Sequence, residues 1–223
     1  MKKAFLFSLL LVSMSVHAQN YNALKDSLLK AADVLAYHPD SIDLRLKKAS
    51  WNIELQQWNY AKDEYDVVLK LNPKNIAGLY YRAFVNEKLK RYNFARLDYE
   101  NLLTLVPGNF EVQLGLALLN QKDQHYTEAL DQINSLVTQY PDSAVAYAAR
   151  GGIEKERGML ELAEYDYSEA IKRDAGNTDY RMNRVDILLT LGKNEEAKSA
   201  LDDIVKLGVP RANLIEFYRR IPK

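Results

Sequence analysis

The sequence predicts an all-α protein built as a stack of antiparallel helical hairpins, and three observations lead to that reading. Pro39, Pro73, Pro107 and Pro141 stand 34 residues apart. Small residues keep the same step at Ser27, Ala61, Ala95, Ala129, Ala163 and Ala197. Each is followed by a packing residue four places on and another three beyond that, as in Ala61, Tyr65, Val68 and Ala95, Tyr99, Leu102. Residues at those offsets share one face of a helix. A period that holds its register without insertion marks a repeat array, in which each unit buries its apolar surface on its neighbours.

The elements follow in order. Met1-Lys2-Lys3, the apolar run from Ala4 to Val12 and the small Ala18 before Gln19 have the form of a secretory signal peptide over 1–18. The apolar run is too short to remain in a bilayer as a spanning helix. Its Ala18-Gln19 junction resembles signal peptides of Bacteroides-type Gram-negative bacteria. The mature protein is therefore expected in the periplasm or secreted, and no later stretch is apolar enough to span a membrane. A lone helix within 19–41 matches the second half of a repeat and caps the array. Five full repeats follow, at 42–75, 76–109, 110–143, 144–177 and 178–211, and a closing helix within 212–223 brings Phe217 and Tyr218 over the last exposed face. Twelve helices are expected.

Proline ends each second helix because it lacks an N–H and biases its predecessor out of the α region. Cap residues come next: Asp40-Ser41, Lys74-Asn75, Gly108-Asn109, Asp142-Ser143 and Gly176-Asn177. Their polar side chains are suited to accept from the free N–H groups that open the following helix. Gln56-Gln57, Lys90-Arg91, Gln124-His125, Gly158 and Gly192-Lys193 mark the turn inside each hairpin.

The period, the alanine opening the second helix's packing face, the aromatic four residues later and the terminal proline together resemble the tetratricopeptide repeat. The resemblance covers about residues 21–209. It implies a right-handed α-solenoid of helix-turn-helix units. Counting position 1 from Ile42, Ile76, Phe110, Ala144 and Thr178, position 8 is small in Ala49, Ala83, Ala117 and Gly151, and departs in Val185. Position 11, usually aromatic in the family, holds Asn52, Asn86, Asn120, Glu154 and Leu188. Positions 7 and 23 pair a base with an acid in Lys48/Glu64, Arg82/Asp98 and Arg150/Asp166. Both charges are absent from Leu116/Gln132, and Arg184/Ala200 breaks the rule. These are read as exposed ion pairs that clip two helices of one repeat and set register more than stability.

Composition narrows the function. Lys+Arg and Asp+Glu both total 30, and the first 18 residues carry only Lys2 and Lys3. A surface so balanced has no reason to track a polyanion, so nucleic acid is not an expected partner. There is no cysteine, which removes disulfides, thiolate metal sites and cysteine nucleophiles. His38 and His125 lie far apart in turns, with no partner at metal-ligand spacing. Gly151-Gly152 lacks any phosphate-loop pattern around it and reads as close helix packing. Acidic clusters such as Glu195-Glu196 read as solvated helix faces. No catalytic, cofactor or metal site is expected.

By the resemblance, positions 2, 5, 6, 9, 12 and 13 of the first helices line a concave groove. The candidate partner-binding residues are Leu46, Ser50, Tyr80, Tyr81, Phe84, Leu114, Leu118, Ala148, Gly152 and Met182. The basic and asparagine clamp with which some family members grip a chaperone's C-terminal carboxylate is missing. The sequence thus points to a non-catalytic protein- or peptide-binding scaffold of the cell envelope. The alternatives are a self-associating structural protein, or an accessory subunit of an envelope enzyme or secretion complex.

Overall fold

The computed structural model describes residues 21–222, so the signal segment expected at 1–18 lies outside the described residues. Among them are twelve α-helices and no strand. Helix α1 occupies residues 21–37. The first helices of the hairpins are α2 (Ile42–Glu54), α4 (Ile76–Lys88), α6 (Phe110–Lys122), α8 (Ala144–Glu156) and α10 (Thr178–Thr190). The second helices are α3 (Trp58–Leu71), α5 (Tyr92–Leu105), α7 (Tyr126–Gln139), α9 (Leu160–Arg173) and α11 (Asn194–Lys206). Both series start every 34 residues. A 3-10 turn at Arg211–Leu214 leads into α12 (Ile215–Arg219). A single closing helix over about 212–220 is expected from the sequence. The chain instead leaves Pro210 in a tight turn that drops Leu214 into the core beside Val185, Leu201 and Ile204. Phe217 and Tyr218 pack on the same cluster.

Two compact units divide the chain, Met1–Pro107 and Gly108–Lys223. In each, the alanine notch does the packing. Ala61 and Ala95 in the first unit, and Ala129, Ala163 and Ala197 in the second, are fully buried. A methyl group there lets helices approach, and the residues four and seven places on fill the space beside the contact. Tyr65, Val68, Tyr99 and Leu102 do so in the first unit, and Ile133, Leu136, Tyr167 and Ala170 in the second.

Caps and turns follow the polar residues. The Asn75 side chain accepts from the Gly78 N–H at 2.7 Å, Asn109 from Val112 at 3.0 Å and Ser143 from Ala146 at 3.2 Å. Asn177 accepts from Asp179 and Tyr180. Ser41 makes no such bond. Gln56, Lys90 and Gln124 take left-handed backbone at the turn inside their hairpins, the place filled by Gly158 and Gly192 in the last two repeats. Glycine adopts that conformation without the Cβ penalty the other three bear.

The ion pairs need correction: they form, but not at the surface. Arg82 donates from Nε and Nη2 to both oxygens of Asp98, at 2.9 and 2.7 Å, and Arg150 does the same to Asp166 at 2.6 and 2.8 Å. The Asp98 and Asp166 side chains are only 1% exposed. Each arginine also reaches back to the preceding hairpin. Nη1 of Arg82 donates to Asp66 at 2.9 Å, and Nη1 of Arg150 to Asn134 at 3.0 Å. One guanidinium thus joins three helices, which makes it a structural element rather than a surface decoration. Deleting one partner of such a buried pair costs about 3–5 kcal/mol. In the first hairpin Arg45 and Lys48, both of α2, share Glu64 of α3, so that clip joins two helices.

Position 11 sits beside this clip. Asn52, Asn86 and Asn120 are buried there, and Asn120 donates to Gln132 at 2.9 Å. Glu154 takes the place in the fourth hairpin, buried, with one carboxyl oxygen lacking a partner. Burial, and then the charge of Asp166, push its carboxyl up to about 7 against the pull of Arg150.

Candidate functional site

In the first unit, the facing sides of α2 and α4 leave a cavity of about 270 Å³ lined by Leu46, Ser50, Ile53, Glu54, Tyr65, Ala77 and Tyr81. The repeat dictates this lining. Leu46, Ser50 and Ile53 follow one another along the inner face of α2, at offsets of four and three, and Ala77 and Tyr81 do so on α4. Tyr65 comes from α3, with its ring stacked on Tyr81 at 6.2 Å between centroids and 14° between planes. Because α4 offers only a methyl group at Ala77, the space between the helices stays hollow.

Tyr65 is the polar element of this hollow. The equivalent tyrosine of the next hairpin, Tyr99, donates its hydroxyl to Glu87 at 2.8 Å. In the first hairpin the residue equivalent to Glu87 is Ile53, so Tyr65 lacks that acceptor. Burial pushes the Tyr65 phenol up, so it stays protonated and able to donate. Glu54 stands at the rim, exposed. The arrangement therefore combines apolar walls, a hydroxyl donor and one carboxylate. It suits an apolar side chain with a neighbouring cation and offers no nucleophile–base pair.

Of the sequence-predicted site residues in this unit, Leu46, Ser50 and Tyr81 are brought together. Tyr80 and Phe84 are not. Tyr80 stands edge-on to Tyr81 and Tyr99, at 5.4 and 6.2 Å. Phe84 packs edge-on to Trp58 at 6.2 Å and joins the core cluster around Ala49, Ala61 and Val85. Ile53, Glu54 and Ala77, at positions 12, 13 and 2, join Leu46, Ser50 and Tyr81 at places the resemblance implies for the groove, whereas Tyr65, from the second helix, was missed. Position 24 reads as core filling in the sequence. The mismatch of Ile53 with Glu87 at position 12 was the available signal that one tyrosine of the series lacks its acceptor.

In the second unit the candidates are spread over different clusters. Leu114 packs on the core around Ala117 and Ile133, Ala148 on that around Ala163 and Ile187, and Met182 on that around Val185 and Leu214. Leu118 is half-buried, and Gly152 lies beside the Tyr167 hydroxyl, which a Cβ there would meet at 3.5 Å. Burial raises the Tyr167 phenol to about 12. Beyond it, Lys155 of α8 binds Asp186 of α10 at 2.5 Å. Arg220 donates to the other Asp186 oxygen. Hydrogen bonding to these two cations holds the Asp186 carboxyl below its usual range despite its burial. An ion bridge thus spans the first helices here.

Among the described residues no group of three or more His, Asp or Glu side chains gathers as metal ligands, and no helix is long and apolar enough to cross a membrane.

Comparison with known proteins bears on the fold. The tetratricopeptide repeat family model matches residues 111–143, the hairpin of α6 and α7. None of the curated proteins compared with the chain matches its sequence. Among solved structures, a tetratricopeptide repeat protein from Parabacteroides merdae is similar at 22% identity and a TM-score of 0.70, over 90% of this chain and 78% of that one. MamA from Desulfovibrio magneticus RS-1 is similar at 17% identity and a TM-score of 0.64, over 75% and 94%. YrrB, described as a TPR protein with an unusual peptide-binding site, is similar at 18% identity and a TM-score of 0.56, over 79% and 91%. Helix order, period and these likenesses agree: the chain has the all-α fold of tetratricopeptide repeat proteins.

Proposed function

We propose that the chain is a non-catalytic scaffold of the cell envelope that holds a protein or peptide partner against the inner face of α2 and α4. The observation that carries this is the cavity over Tyr65, apolar on its walls and hollow because Ala77 faces Ser50 and Ile53. A pocket of this size accepts one large side chain, and such anchors dominate peptide affinity. The description of YrrB as carrying a peptide-binding site supports the class of partner. The pattern of residues 1–18 supports a place outside the cytoplasm, tested by fractionating cells that produce the full chain.

Ser50 is exposed, and its hydroxyl donates only to the Lys47 carbonyl of its own helix, so a bulky replacement fills the cavity without touching the core. Peptides selected on the wild-type chain from a random library should bind Ser50→Trp at least tenfold more weakly, about 1.4 kcal/mol, with an unchanged circular dichroism spectrum. Equal affinity for both proteins would reject the cavity as the binding place.

One observation favours a second reading, self-association. Val34 on α1 is 47% exposed, whereas Val68, Leu102, Leu136 and Ile204, its equivalents, are buried. Leu29 and Tyr37 are exposed on the same helix. Sedimentation of the wild type and of Leu29→Glu/Val34→Glu distinguishes the readings, since only self-association makes the mass depend on these residues.

A further inference from the structure

The fifth hairpin keeps the arginine of the clip and lacks its acid. Arg184 occupies the position of Arg82 and Arg150, but Ala200 stands where Asp98 and Asp166 accept the fork, and Ser168 where Asp66 and Asn134 accept the third bond. Arg184 donates from Nε to Glu164 at 2.6 Å, and Ser168 donates to the same oxygen at 3.1 Å. No bond from the Nη1 or Nη2 atoms of Arg184 is formed among the described residues. Arg184 lines a cavity of about 400 Å³ whose walls also include Ile171, Arg181, Ser199 and Ala200. Arg181 is anchored by two bonds to the Ala175 carbonyl. Two carboxylates also line the cavity: Asp203, engaged by Lys206 at 2.8 Å, and the exposed Glu196.

We propose that this cavity is a carboxylate-binding site, formed by removal of an internal carboxylate, and that it receives the carboxylate of a partner peptide. Two hairpins of the same molecule show what the site accepts: a planar fork of N–H donors meeting both oxygens of one carboxylate at 2.6 to 2.9 Å. Such bidentate contacts are the specific mode of arginine toward carboxylates. In the fifth hairpin Nε of Arg184 is taken by Glu164, so the end-on pair Nη1 and Nη2 is the fork it still offers; its side-chain exposure is 28%, and Ala200 lines a hollow where the other hairpins place the acceptor. Ile171 and Ala200 supply apolar wall for the stem of an acidic side chain or the last residue of a peptide, and Ser199 supplies a hydroxyl at the mouth. The site involves none of the residues of the cavity between α2 and α4, so it stands or falls independently of the proposed function.

The test is an NMR titration of the full chain with sodium acetate against sodium chloride at constant ionic strength, following the backbone amides of Ile171 and Ser199. A saturable response to acetate is expected in the wild type, at least tenfold weaker in Arg184→Gln. Ala200→Asp restores the internal carboxylate, so it should abolish the response and raise the melting temperature. Should Ala200→Asp not fold, Arg184→Gln decides alone. Two peptides then identify the source of the carboxylate: one with a free C-terminus and no acid, and an amidated one with a single glutamate. Saturable binding of either supports the proposal. It is overturned by a linear response in the wild type, by an equal response in Arg184→Gln, or by acetate binding with neither peptide responding.

Discussion

The two units use one frame and finish it differently. In the first, the inner faces of α2 and α4 meet over Tyr65 with Ser50, Ile53 and Ala77 between them, and a hollow remains. In the second, the equivalent place between α8 and α10 lies over Tyr167, with Gly152 and Lys155 in the positions of Ser50 and Ile53, and Lys155 crosses to Asp186. The difference teaches that the repeat's backbone does not decide whether its inner face is open. The side chains at positions 2, 9 and 12 decide together, and they are free to vary because none carries the notch that stacks the helices. The same contrast runs through the interior. Asn86 beside Arg82 and Asp98 is an amide, whereas Glu154 beside Arg150 and Asp166 is an acid.

The comparison breaks most visibly at the shared frame. Asp98→Ala and Asp166→Ala each leave a half-buried arginine without its fork, and each should lower stability by about 3–5 kcal/mol. Urea unfolding measures both. If one costs far less than the other, the frame is not shared. Next in size is the notch. Ala129→Leu overpacks a fully buried helix contact and should cost about 1–3 kcal/mol. Gly152→Ala adds a methyl group at ordinary contact distance from Tyr167 and should gain about 0.5–1 kcal/mol through helix propensity. Equal effects in thermal unfolding would place the two residues on the wrong faces.

A last comparison separates the amide from the acid. Glu154 binds its proton up to about pH 7 in the folded state, whereas the unfolded chain releases it near the ordinary value of 4.5. Between those limits the folded state holds more protons, so stability falls as pH rises. The contribution is complete below the unfolded value and is lost as pH passes through the folded one. Glu154→Gln should flatten this slope in melting temperatures taken from pH 4.5 to 8. An unaltered slope would mean that another group titrates.

Much of the fold was legible because close helix packing leaves few choices. Alanine at the crossing, proline at the stop and asparagine or serine at the cap each answer a local steric or hydrogen-bonding demand, and those demands recur in every hairpin. The clip was legible as a pairing of residues, but not its depth. The arginines that meet Asp98 and Asp166 are also held by a third helix, contributed by the preceding hairpin, which a two-position pattern does not contain. The candidate site was legible in part for a similar reason. Leu46, Ser50 and Tyr81 face the cavity as their register implies, while Tyr80 and Phe84 share that register and turn to aromatic neighbours instead. Large flat side chains find partners across a contact, and periodicity does not record which partner lies within reach. The two-unit division at Pro107 has no counterpart in the period, which runs through it unchanged.

The claim on which the account depends is that a partner seats its anchor side chain between α2 and α4. Chemical-shift mapping of a selected peptide on the isotopically labelled chain tests it directly. The account predicts that the largest perturbations fall on Leu46, Ser50, Ala77 and Tyr81, with the Tyr65 ring resonances shifting at the same peptide concentration. Perturbations that leave these residues unmoved and gather elsewhere on the chain would contradict it.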